Sequence, residues 1–166
     1  PPSRVAAADF DGDGRPDVAV VSRAAGTLTL YRQVNGDGAV VAHVATAGQP
    51  DRLLVADVDG DGKPDIIVAS SASGAVGYFK GVGASGLAPR QDYLLPAPLT
   101  ALALLDANGD GRLDLIGASS GRAEGRIVFL AGAAEAGFDP APHTLRSFGA
   151  LALATVDVNG DGGIDL

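Results

Sequence analysis

Four nine-residue segments of this chain each place an oxygen-bearing side chain at positions 1, 3 and 5 and an aspartate at position 9. They are Asp9, Asp11, Asp13 and Asp17; Asp57, Asp59, Asp61 and Asp65; Asp106, Asn108, Asp110 and Asp114; and Asp157, Asn159, Asp161 and Asp165. Fourteen of the 20 acidic residues lie in these segments. Carboxylates crowded this closely repel one another unless a cation sits among them. The donors are all oxygen, which suits a hard ion; Ca²⁺ takes six to eight oxygens at about 2.3–2.6 Å in a flexible shell. In a tight loop, alternate positions point inward, and glycine at positions 4 and 6 permits turns that a side chain would hinder. Position 7 is Arg15, Lys63, Arg112 and Gly163. Ammonium and guanidinium groups have no lone pair to offer a cation, so this position is expected to serve through its backbone carbonyl. The expectation is up to four Ca²⁺, one per loop. Asn108 and Asn159 keep an oxygen but lose a charge, so the third and fourth loops are expected to bind more weakly.

A helix–loop–helix calcium site also begins this way, but it needs an acidic ligand at position 12. That position holds Val20, Val68 and Gly117 here. The flanks read as strands instead: Val18–Val21, Ile66–Ala69 and Leu115–Ala118 are short apolar runs rich in β-branched residues. A single Asp-Gly-rich stretch is also what a plain hairpin turn looks like. Four copies with the same ligand positions are not.

The loops must therefore join strands. Their starts lie 48, 49 and 51 residues apart, a period that marks a repeat architecture. In the first repeat, strands are expected at Arg4–Ala8, Asp17–Ser22, Thr27–Tyr31 and Ala39–Val44, with Asn35–Gly38 as a second turn. The second repeats this at Leu53–Ala56, Asp65–Ser70, Ala75–Lys80 and Arg90–Leu95, the third at Leu102–Leu105, Asp114–Ser119, Arg126–Ala131 and His143–Arg146. The repeats divide the chain into 1–48, 49–97, 98–147 and 148–166, the last being the first half of a fourth. Four strands per repeat give an all-β chain of antiparallel β-propeller blades. The first two strands of each repeat are more apolar than the fourth, as expected if they lie inside. Tyr31, Tyr78, Phe79 and Phe129, on the third strand, are expected to pack between blades, and Phe10 to pack from within its loop.

The motif Asp-x-Asp/Asn-Gly-Asp-Gly-x-x-Asp, framed by strands and repeated at this period, resembles the FG-GAP/VCBS repeat. Ala7–Val20 is close to the usual form of that repeat, and Asn35–Gly38 is similar to its second turn. The resemblance covers essentially the whole chain. It implies the calcium-bearing propeller of integrin α-chains and of bacterial secreted or surface proteins, usually of seven blades, with Ca²⁺ between the first two strands of each. It also implies an adhesion, protein-binding, glycan-binding or accessory role. On that reading the chain is a piece of a larger propeller, an accessory domain of a secreted enzyme, or a partial ring completed by self-association.

Composition narrows the remaining classes. The chain has 166 residues, a formal charge of −8, 24 glycines and no cysteine, methionine or tryptophan. Four Ca²⁺ would bring that charge to about zero. An acidic chain lacks the basic footprint of a nucleic-acid binder. No run of apolar residues is long enough to span a membrane. Without cysteine there is no disulfide framework and no thiolate chemistry. The two histidines, His43 and His143, have no neighbouring cluster suggesting a triad or a zinc site. No phosphate-cradling glycine motif is present. The expectation is a non-catalytic, extracellular or cell-surface module, and the Ala-, Gly- and Arg-rich usage points to a bacterial source.

Overall fold

The computed structural model describes residues 2–34, 37–120, 125–133 and 137–147. The fourth acidic loop, with Asp157, Asn159, Asp161, Gly163 and Asp165, lies outside the described residues. The described chain is all β apart from one short 3₁₀ turn, Gly83–Ser85. No described helix is long and apolar enough to cross a membrane.

Three four-stranded antiparallel sheets follow one another along the chain. The first is β1 (Arg4–Ala8), β2 (Asp17–Ser22), β3 (Thr27–Val34) and β4 (Asp37–Ala45), paired in that order. The second is β5 (Arg52–Ala56), β6 (Asp65–Ser70), β7 (Ala75–Phe79) and β8 (Gln91–Leu94). The third pairs β9 (Leu99–Leu105), β10 (Asp114–Ser120), β11 (Gly125–Leu130) and β14 (His143–Ser147). Between its last two strands a two-residue ribbon, β12 (Gly132–Ala133) with β13 (Gly137–Phe138), was not evident from the sequence pattern. Each sheet is the up-and-down meander of a β-propeller blade.

The register repeats. Ala8 opposes Asp17, Ala56 opposes Asp65, and Leu105 opposes Asp114. Each of these three acidic loops therefore closes the hairpin between the first and second strands, and its ninth residue is already in the ladder. β-branched residues in Ile66–Val68 and Val18–Val21 fit the pleated, packed surface of a second strand.

The chain forms two compact units, one built on the first two sheets and the other on the third. In the first unit the core lies between its two sheets. Ala19, Val21, Leu28 and Leu30 from one sheet meet Ile66, Val68 and Phe79 from the other, and Phe10 joins them from the loop. Fully burying a side chain such as Ile66 or Phe79 stabilises by about 1.5–3 kcal/mol. In the second unit Gly117 sits where a Cβ would crowd the side chains of Leu95 and Leu99.

Two packing expectations need correction. Burial is concentrated in the second and third strands of each sheet, not the first and second. Each first strand is a sheet edge, and Val5 on β1 is 69% exposed. Tyr31 is 38% exposed rather than packed. Leu28 and Leu30 take the core face of β3, and strand alternation turns Tyr31 to the other face. Tyr78 and Phe79 are buried together because β7 is covered on both faces.

Candidate metal centres

The first residue of each described loop gathers the loop's amides. Asp9 Oδ1 accepts from the N–H of Gly12 (2.7 Å) and Asp13 (3.1 Å), and Oδ2 from Gly14 (2.8 Å). Asp106 repeats the set, with Gly109 (2.8 Å), Asp110 (3.1 Å) and Gly111 (2.8 Å). Asp57 accepts from Asp61 (3.0 Å) and Gly62 (2.8 Å). Position 5 then accepts from position 7: Asp13 from Arg15, Asp61 from Lys63, and Asp110 from Arg112, at 2.8–2.9 Å. These bonds wind the chain inward around its own carboxylates.

The winding needs left-handed backbone at positions 4 and 6. Gly12 and Gly14 have φ of 80° and 82°, and a Cβ on either would meet nothing within 4 Å. Glycine is required there by conformation and not by space.

The carboxylates converge. One ligand oxygen each from Asp9, Asp11 and Asp17 lie within 4.8 Å of one another, and so do those of Asp57, Asp59 and Asp61. Asp13 and Asp65 stand outside these two tightest groups. In the third loop Asn108 accepts from the Asp110 N–H (2.8 Å) and donates its amide to Asp110 Oδ2 (3.1 Å), which occupies part of the ligand set internally. Oxygen-only donors and three convergent carboxylates suit a hard divalent cation of calcium's kind.

Position 9 has a second task that the spacing did not reveal. Asp17, Asp65 and Asp114 are all buried. Asp17 Oδ2 accepts from the Phe10 N–H (3.1 Å) and Asp114 Oδ2 from the Ala107 N–H (2.8 Å), so each holds the second residue of its own loop. Asp65 Oδ1 also accepts from Gly81 N–H (2.8 Å), and Asp114 Oδ1 from Gly132 N–H (2.7 Å). Those glycines follow the third strand and come so near that a Cβ on Gly81 would overlap the Pro64 carbonyl oxygen. Tyr78 Oη donates to Asp65 Oδ2 at 3.0 Å.

Cations sit on the loop acids. Arg32 Nε lies 2.8 Å from Asp11 Oδ2. Lys80 Nζ and Lys63 Nζ lie 3.2 and 3.3 Å from Asp61 Oδ2, and Arg112 Nη2 lies 2.8 Å from Asp110 Oδ2. The effect on acidity follows. The Gly14 N–H, helped by those of Gly12 and Asp13, holds the Asp9 carboxyl below the usual range. Desolvation raises Asp61, but the Lys63 N–H and the ammoniums of Lys80 and Lys63 outweigh it and leave the carboxyl lowered. The Arg112 N–H is the main cause of the lowered Asp110.

The histidines stand elsewhere. His43 is exposed on the edge strand β4, with Nδ1 2.8 Å from Thr29 Oγ1. His143 begins β14, its ring 6.2 Å from that of Phe129.

Comparison with known proteins bears on the whole chain. A family model described as an FG-GAP-like repeat matches residues 9–68, 57–117 and 106–166, each match opening on the first aspartate of a loop. No curated protein matches the chain. Among solved structures, the chain is similar to BBS1N in a complex with ARL6DN, from a crystal soaked with lead. That likeness has 13% identity and a TM-score of 0.63, and covers 98% of this chain and 48% of the other. It is also similar to part of the Tc holotoxin pore of Photorhabdus luminescens, at 24% identity and a TM-score of 0.59, over 97% of this chain and 8% of that one. At these identities the likeness concerns the fold. The chain spans about half the length of the first and less than a tenth of the second.

Proposed function

Since the chain belongs to the FG-GAP-like repeat family, we propose that it is a non-catalytic β-propeller module whose loops each hold a structural Ca²⁺, and that it serves in protein or glycan binding outside the cell. The observation that carries the calcium reading is the convergence of Asp9, Asp11 and Asp17, and of Asp57, Asp59 and Asp61, around loops wound by their own amides. Asp9, Asp11, Asp13 and Asp17, with the Arg15 carbonyl, would hold the ion of the first loop. Asp57, Asp59, Asp61, Asp65 and the Lys63 carbonyl would do so in the second, and Asp106, Asn108, Asp110, Asp114 and the Arg112 carbonyl in the third. The fourth set is Asp157, Asn159, Asp161, Asp165 and the Gly163 carbonyl. The bound ion would offset the loop's charge and pin the hairpin between two strands. Extracellular modules bind Ca²⁺ at about 10⁻⁴–10⁻³ M, matching the calcium available there.

Calorimetric titration with CaCl₂ tests the reading. Saturable binding of up to four ions, together with a melting temperature lowered by chelator, is the expected result. A ligand at 100 times its dissociation constant stabilises by about 2.7 kcal/mol per site. Flat heats and a melt indifferent to chelator would sink it. Glycan arrays and pull-downs with calcium present then separate sugar binding from protein binding.

A second reading, an assembly component completed by other blades, is favoured by the fold likeness to part of a large toxin complex. The mass of the purified chain in solution tests it: a folded monomer counts against self-completion.

A further inference from the structure

One position on or just past the third strand of each sheet differs in a way that tracks the adjoining loop. Tyr31 opposes Val18, Phe79 opposes Ile66, and Leu130 opposes Leu115. Arg32, Lys80 and Ala131 are therefore equivalent positions, each one step past the pair that adjoins the ninth loop residue. Where position 3 of the loop is aspartate (Asp11, Asp59), this neighbour is a cation; where it is Asn108, the neighbour is alanine.

The cations are engaged with the loops. Arg32 meets Asp11, whose side chain is only 10% exposed, and its Nη2 donates to the Ala84 carbonyl at 2.8 Å. Lys80 meets Asp61. The formal charge then comes out alike in all three. Loop one has four carboxylates and Arg15, and Arg32 brings it from −3 to −2. Loop two has four carboxylates and Lys63, and Lys80 brings it from −3 to −2. Loop three has three carboxylates and Arg112, which is −2 with no further help.

We propose that Arg32 and Lys80 are tethered counter-cations that set the first two loops to the same net charge as the third, so that each is matched to a single divalent cation. This rests on the calcium reading above. It also revises the expectation drawn from Asn108. The third loop lacks one carboxylate but also has no cation at the equivalent position, Ala131, so the three sites bind Ca²⁺ with similar strength. Without the metal, Arg32 and Lys80 neutralise part of the repulsion among the loop acids. With it, they oppose the ion by like-charge repulsion.

The test is a calcium titration of the full chain followed by NMR, with the amides of Gly14, Gly62 and Gly111 reporting the three loops separately. In the unchanged chain their midpoints should agree within about threefold, since loops of equal net charge attract the ion equally. Arg32→Ala should move the Gly14 midpoint to about three- to tenfold lower calcium, because a positive charge near the ion is gone. The same variant should melt at lower temperature in chelator. Ala131→Arg should move the Gly111 midpoint to higher calcium, and adding Asn108→Asp should bring it back. If Arg32→Ala does not fold, Arg32→Gln removes the charge while keeping length, and the third-loop variants test the idea independently. Unmoved midpoints in Arg32→Ala and Ala131→Arg would overturn the proposal while leaving calcium binding intact. Glycine amides that ignore calcium in the unchanged chain would instead remove the calcium reading itself, and this proposal with it.

Discussion

Tyr78 Oη donates a hydrogen bond of 3.0 Å to Asp65 Oδ2, and both side chains are fully buried. The third strand thus supports the last acid of the loop from behind. A hydrogen bond to a charged group contributes about 1.5–3 kcal/mol. Tyr78→Phe should lower the unfolding free energy by that order, measured by urea denaturation. Equal stability of the two proteins would show that the bond carries nothing.

Glycines at two kinds of place should respond differently. Gly12→Ala meets no neighbour but must keep a left-handed backbone, which costs about 1–2 kcal/mol. Gly81→Ala would drive a Cβ into the Pro64 carbonyl and disturb the bond to Asp65, so it should be the more damaging of the two. Melting curves of both variants in calcium check the order, and a reversed order would refute it.

Phe10 joins the loop to the core. It lies between the loop acids Asp9 and Asp11 in sequence, yet it is buried among Val21, Leu28 and Ile66. Phe10→Ala should cost about 3–5 kcal/mol, as large-to-small changes in cores do. It should also raise the calcium needed to saturate the first loop. A stability loss with an unchanged Gly14 titration would mean that core and loop are independent.

Acid should weaken the metal-free chain through Asp9. Its folded carboxyl is held below the ordinary value of 3.8 by the Gly14 N–H and its neighbours. A lowered folded pKa contributes stability above the unfolded value and loses it as pH falls through the folded one. In chelator, then, the Asp9→Asn variant should show a flatter decline in stability below pH of about 4, where unfolded aspartates titrate. A carboxyl NMR midpoint for Asp9 at or above 3.8 would contradict this.

Much of the fold could be read from residue spacing, because its signals are local. The period of the loops, the glycines at positions 4 and 6 and the apolar runs after each loop all lie within a few residues of what they specify. The expected strands Arg4–Ala8, Asp17–Ser22 and Asp65–Ser70 stand where the pattern put them. What escaped depends on residues far apart in the chain. Asp114 reaches Gly132, 18 residues on, and Arg32 reaches back 21 residues to Asp11. Neither pairing leaves a mark at short range. Tyr31 and Tyr78 look alike in sequence, and only the parity of the strand and the covering of each face separate them.

The buried bond between Asp114 and Gly132 also limits how portable these loops are. A protein engineer who moved residues 106–114 onto a foreign hairpin would transplant every oxygen-bearing side chain of the loop and leave behind the amide that fixes the last of them. The transplant would need a recipient strand ending in a close-packed glycine at the matching height. In that sense the natural unit of exchange is the whole sheet, not the nine-residue loop.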